Sequence, residues 1–110
     1  MSKVVKLRRV LTAKQAEILI QKIATETPNK IIYSNHATAR MEERGITIRD
    51  TLSVLRKGDV FKIPTVGKNE GEWKCEISRH VRGSNREIGV VTLIIKEERL
   101  FVVTVQWIDL

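Results

Sequence analysis

The sequence predicts an α+β fold, with N-terminal helices packed on one face of a four-stranded antiparallel sheet. Three observations carry this. Apolar residues recur at helical spacing up to Gly58, they alternate or run β-branched after it, and Gly or Pro marks most of the changes. At 110 residues there is room for one domain with one modest core. We expect that domain to span 1–110, with 1–30 a helical extension to a core at 34–107.

Thr12 and Gln15 form a capping-box pattern, and Ala16, Leu19, Ile20 and Ile23 follow at helical spacing, so a helix is expected over 13–25. Thr27-Pro28-Asn29 stops it, and Ile31-Ile32-Tyr33 reads as an apolar connector. Ser34-Asn35 offers the next N-cap, 36–44 has no breaker, and Gly45 followed by Ile46 fits a Schellman ending. Thr47 then caps a third helix, with Asp50 returning the cap, Ile48, Leu52 and Leu55 as its buried stripe and Gly58 as its end.

The period then changes. Val60-Phe61-Lys62-Ile63 reads as a strand that Pro64 confines to an edge. Trp73, Cys75 and Ile77 alternate with Lys74, Glu76 and Ser78, and Arg82-Gly83-Ser84-Asn85 is a turn. The β-branched runs at 88–96 and 100–108 form a hairpin through Glu97-Glu98-Arg99. On the last strand Phe101, Val103, Val105 and Trp107 are expected to share one face, with Thr104 and Gln106 on the other.

The net charge is +7, from 20 Lys and Arg against 13 Asp and Glu. Residues 1–57 hold 12 basic and 5 acidic side chains, and residues 58–110 hold 8 of each, so the surplus lies in the helical half. That asymmetry suits a polyanion, most often nucleic acid; the alternative is plain solubility. A single cysteine, Cys75, matches no zinc spacing and favours a reducing compartment. No apolar run nears the ~20 residues of a membrane span, and Met1 to Arg9 lack signal-peptide features. We expect a cytoplasmic protein with no membrane partner.

His36, Arg40 and Arg44 are spaced i, i+4, i+8 and line one helical stripe. Two guanidinium forks beside an imidazole can bind phosphate and move a proton. Equally, the arginines can pair with Glu43, Glu42 or Asp50, and His36 can cap the helix end. A second cluster, Arg79, His80, Arg82 and Arg86, can follow a phosphate backbone or form a solvated hairpin tip. Arg79 continues the buried phase of Trp73, Cys75 and Ile77, so it snorkels at the sheet edge or a bulge shifts the register. Lys74, Glu76, Ser78 and His80 share one phase, and if it coincides with that of Thr104 and Gln106 the sheet has a polar face suited to RNA. There is no Gly-rich phosphate loop, no paired carboxylates for magnesium and no Ser or Cys nucleophile motif, so no metal or cofactor is expected.

The run from Ser34 to Thr47, with His36-Ala37, Arg40-Met41 and Glu43-Arg44-Gly45-Ile46, resembles a family of small bacterial and phage domains of unknown function. That family's signature is His-Ala-x-x-Arg-Met-x-x-Arg-Gly-Ile; Leu55, Gly58 and Thr104 extend the likeness over about 34–107. The family in turn resembles the barnase–EndoU–colicin–RelE (BECR) group of ribonuclease toxins, which implies a RelE-like fold and metal-independent RNA cleavage through the substrate's 2′-hydroxyl. By that resemblance His36 is the acid or base, Arg40 and Arg44 stabilise the phosphate, and Thr104 orients a substrate oxygen. Arg79 and Arg82 lie where relatives carry a basic residue, beside an insertion at 67–72. Lys74, His80 and Arg86 complete the expected nucleic-acid contacts. The implied partners are RNA, ribosome-associated RNA included, and an acidic antitoxin or immunity protein.

Two other readings compete. One is a non-catalytic regulator of phage or plasmid origin, with 44–57 as a helix-turn-helix presenting Arg49, Ser53 and Arg56. The other is an inhibitor that binds a host protein through its basic face.

Overall fold

The computed structural model describes residues 10–109. The basic opening segment at 1–9, read above for signal-peptide features, and Leu110 lie outside the described residues. Helix α1 (Ala13–Glu26) begins at the predicted capping box: Thr12 Oγ1 accepts from Gln15 N–H, and Gln15 Oε1 accepts from Thr12 N–H, both at 3.0 Å. It buries Ala16, Ile20, Ile23 and Ala24 in the same core as the rest of the chain. Helix α2 (Asn35–Arg44) starts at Ser34, whose Oγ accepts from Ala37 N–H. It ends at Gly45, where φ is +67°, a conformation in which a side chain would be strained. The Ile46 N–H returns to Met41 O at 2.9 Å, closing the Schellman turn and burying Ile46. Helix α3 (Ile48–Lys57) follows at once from the Thr47–Asp50 capping box, but its buried stripe is Thr51, Val54 and Leu55, with the expected Ile48 exposed and Leu52 half-buried.

The sheet departs from expectation in three places. It has five strands, not four, and is mixed: β1 (Ile31–Tyr33), β2 (Thr65–Val66), β3 (Glu72–His80), β4 (Arg86–Ile95) and β5 (Arg99–Asp109) lie in the order β1-β5-β4-β3-β2, with β1 parallel to β5. The supposed connector is therefore a strand. Its three residues are too few to show a period, and its partner lies 69 positions along the chain, at Leu100 for Ile31.

The run from Val60 to Ile63 is not the predicted strand. Val60 turns into the core and gives its N–H to Glu17 Oε1 at 3.0 Å, while Phe61 and Ile63 are exposed. With that donor captured and Pro64 lacking one, no ladder forms there; Asp59 makes one isolated bridge to Ser78, and the short edge strand comes after Pro64.

The third departure is a bulge. Val91 pairs Thr104 and Thr92 pairs Val102, so Val103 is an extra residue in β5. Leu100, Val102 and Val105 therefore point into the core, each 0 % exposed, and Phe101 and Val103 do not share a face with Val105 and Trp107. Ladder β3–β4 runs without a shift from Glu72 to His80, so Arg79 keeps the core-facing phase and reaches out at the sheet's end. The bulge-free alternative is the correct one.

All three helices cover one face: α3 lies over β3 and β4 and packs against α1, and α2 lies along β5. Burial pushes the Cys75 thiol up to about 12, which leaves it a core side chain without thiolate character. Cys75 should accordingly resist iodoacetamide in the native protein at pH 8 and react readily in 6 M guanidinium, as mass spectrometry would show.

Glu17 ties α1 to the loop at Val60. The Val60 N–H first, and the Lys14 ammonium second, hold its carboxyl below the usual range. A depressed carboxyl stabilises the fold above its unfolded pKa of ~4.3 and loses that contribution as pH falls through the folded value. Glu17→Gln should cost about 1–2 kcal/mol at pH 7 in urea unfolding, with the gap to wild type closing towards pH 3.

Candidate nucleic-acid interface

Strand β1 ends at Tyr33, opposite Val102, and would leave the rest of β5 with an open edge. Helix α2 takes over that edge. Ser34 N–H donates to Val102 O at 3.0 Å, Ser34 Oγ–H to Val103 O at 3.0 Å, and Arg44 Nη1 to Val105 O at 2.9 Å. Trp107 Nε1–H, in return, donates to Arg44 O at 2.8 Å. Both ends of α2 are thus pinned to β5, with Ala37 and Met41 turned into the core.

This docking sets the Arg44 end of the His36–Arg40–Arg44 stripe against β5 just past the bulge. Thr104, half-buried, lies between the two carbonyls that anchor the helix. The stripe's members differ in freedom. His36 is exposed in the first turn; Arg40 pairs with Glu43; Arg44 spends one donor on Val105 O and keeps the others. His36 and Arg44 stand ~12 Å apart along the helix.

The second cluster gathers at the sheet end where α2 finishes. Trp107, Ile88 and Arg79 are paired across β5, β4 and β3, on the helix-bearing face. Arg79 Nη1 donates to Ser53 Oγ of α3 at 2.5 Å. Between α3 and the β3–β4 turn lies a cleft of about 120 Å³, walled by Asp50, Ser53 and Arg79 and rimmed by His80 and Arg82. Arg86 lies over the Trp107 ring, 4.1 Å from its centroid, and its Nε donates to Asp109 Oδ1 at 3.0 Å. Arg44, Arg79, His80, Arg82 and Arg86 therefore occupy one end of the molecule. The chain-half imbalance of charge does not foretell this, since four of the five come from the balanced half.

Lys74 is elsewhere. It lies on the opposite, uncovered face of the sheet, lining a groove of about 520 Å³ with Leu93 and Val103. The expected coincidence of polar phases does hold on that face, where Gln106 Nε2 donates to Glu76 Oε2 at 3.1 Å. Sequence reasoning did not find Ser53, Trp107 and Asp109 as partners of the arginines, because cross-strand and helix–sheet register brings them there.

Two of the three residues of the helix-turn-helix arrangement are otherwise engaged, and Arg49 is exposed. Ser53 accepts from Arg79, and Arg56 Nε donates to Ala24 O at 2.9 Å. Among the described residues, no three His, Cys, Asp or Glu side chains gather as a metal site requires, and no helix is long and apolar enough to cross a membrane.

A family model, described as a domain of unknown function (DUF4258), matches residues 33–107. No curated protein and no solved structure matches the chain. Helix α1 precedes the matched stretch, although its side chains complete the core.

Proposed function

We propose that this chain, which belongs to the DUF4258 family, is a toxin-like endoribonuclease of the BECR kind that cleaves RNA without a metal ion. The observation that carries the reading is the docking of α2 on β5. It fixes Arg44, on the same helical stripe as the exposed His36 and Arg40, against the edge of β5 at the basic end of the sheet, with Thr104 next along β5 on the uncovered face. A strand of RNA laid along that path meets a proton-transfer group and cations without further rearrangement of the backbone.

In the proposed reaction His36 takes the proton from a ribose 2′-hydroxyl as O2′ attacks the adjacent phosphorus. The negative charge that builds on the phosphorane oxygens faces Arg40 and Arg44. The P–O5′ bond breaks, the 5′ oxygen leaves with a proton from solvent, and a 2′,3′-cyclic phosphate remains. Arg40 must exchange Glu43 for phosphate, which is a small cost because a solvent-exposed ion pair is worth only ~0–1 kcal/mol. Thr104 would orient the attacking ribose. The setting is a cytoplasmic toxin–antitoxin or phage-defence system, with a small acidic protein as the partner that covers the basic end.

A binding-only module is the second reading, favoured by that same Arg40–Glu43 pair, which occupies the guanidinium in the free protein. Incubating the purified chain with single-stranded RNA and DNA, with and without EDTA, separates the two. We expect RNA to be cut at the same rate in EDTA and DNA to stay whole. Binding of both without cleavage would favour the module, and absence of binding at low salt would remove both. Affinity for RNA should fall with salt, log K dropping by about 0.7 per phosphate contacted for each tenfold rise in salt.

A further inference from the structure

The basic end of the sheet has a construction that the cleavage chemistry does not use. Arg79 stands in the core-facing phase of β3, yet it is exposed, beside a cleft lined by α3. Its guanidinium is held by Ser53 at the cleft, which Arg82 also lines. Arg86 is fixed differently. Its Cζ lies over the Trp107 ring, Asp109 holds its Nε, and the side chain remains 46 % exposed. A guanidinium held over a ring and tethered at its Nε, with nearly half of the side chain exposed, keeps donors and surface open to solvent. The two arginines are also close: Arg79 pairs with Ile88, two residues from Arg86 on the same face, which makes them diagonal neighbours.

We propose that this end is a nucleotide subsite for single-stranded RNA. Arg79 and Arg82 hold one backbone phosphate at the cleft, and the adjoining nucleobase stacks on the outer face of Arg86. Planar cations bind phosphate oxygens through forked donors, and they also stack on unpaired bases, which lysine does not reproduce. Two of the carboxylates nearby are already committed: Asp50 Oδ2 accepts from Thr47 N–H and Asp109 Oδ1 from Arg86. A base inside a duplex cannot offer its flat face to Arg86, so paired RNA is a poor ligand here. Trp107 couples the subsite to α2, since its Nε1–H holds the carbonyl of Arg44. A strand bound at Arg86 is thereby led towards the Arg40 and His36 side of the helix. The inference rests on the ribonuclease reading for the choice of RNA over DNA, because the subsite itself touches only phosphate and base.

The test uses the full chain and a 2′-O-methyl octauridine, which binds as RNA does but has no free 2′-hydroxyl to react. We expect this probe to shift the NMR signals of the Trp107 indole N–H and of the Arg79, Arg82 and Arg86 side chains. Arg86→Lys, which keeps the charge and loses the plane, should weaken the octamer on the order of tenfold. The same variant should leave the shift of Arg79 by inorganic phosphate unchanged, whereas Arg79→Ala should weaken both ligands. Unchanged thermal midpoints for the variants would place these losses at the site. Octamer-induced shifts confined to the open sheet face, or wild-type affinity in Arg86→Lys and Arg79→Ala, would overturn the subsite. So would an octamer that binds its duplex form equally well. The two readings fail separately. A protein that binds the octamer at Arg86 and never cuts RNA keeps the subsite and loses the nuclease, and one that cuts RNA with wild-type kcat and KM in both variants does the reverse.

Discussion

His36→Ala should lose at least about 10²-fold in the rate of RNA cleavage under single-turnover conditions, while RNA binding stays close to wild type. The rate loss is the usual worth of a positioned acid or base. Binding survives because His36 sits in the first turn of α2, a helix length from the arginines gathered at the sheet end. The fold should survive too: His36 is exposed, and the cap of α2 is made by Ser34 and not by His36. Arg40→Ala should behave differently, losing rate and affinity together, since a cation on the phosphate serves the ground state as well as the transition state. If His36→Ala cleaves at the wild-type rate, the proton is moved by another group, and the α2 stripe is a binding surface only.

Gly58→Ala should be the most damaging small substitution in the scaffold. Gly58 ends α3 with its N–H on Val54 O at 2.8 Å, and its own carbonyl accepts from Gln21 Nε2 at 2.9 Å. Its φ of −80° is ordinary, so the difficulty is space. A Cβ there would stand 2.6 Å from Val54 O and 2.7 Å from Ser78 O, both backbone atoms that cannot rotate away. Overpacking of this kind costs about 3 kcal/mol, so the thermal midpoint should drop by ~10 °C or more. The damage also has a direction. Moving the end of α3 off β3 pulls Ser53 from Arg79 and opens the cleft, so RNA affinity measured well below the new midpoint should fall as well. A midpoint within a degree or two of wild type would mean that α3 and β3 are less tightly docked than these distances require.

What the residues disclosed in advance was whatever local chemistry decides. Thr12 with Gln15, Ser34, Thr47 with Asp50 and Gly45 with Ile46 fixed all three helices to within a residue or so, because caps are short-range hydrogen bonds. The misses were decided at long range. Ile31–Tyr33 became a strand by pairing β5, Val60 was drawn off the edge by Glu17, and one extra residue at Val103 turned Phe101 away from Val105. None of those partners is a sequence neighbour. The candidate site divides in the same way. The i, i+4, i+8 spacing places His36, Arg40 and Arg44 on one stripe without any knowledge of tertiary structure, and the structure then ties its Arg44 end to Val105 O. The stacking of Arg86 on Trp107 and the reach of Arg79 to Ser53 depend on strand register and helix docking, and no spacing in the chain announces either.

The central claim is attack by the 2′-hydroxyl without a metal ion, and the ends of the cleaved RNA report on it directly. A 5′-labelled RNA digested in EDTA should yield fragments ending in a 2′,3′-cyclic phosphate, with a 5′-hydroxyl on the downstream piece. Replacing the ribose at the cut position with 2′-deoxyribose should abolish cleavage there and nowhere else. Fragments carrying a 3′-hydroxyl and a 5′-phosphate, produced only when magnesium is added, would contradict the account.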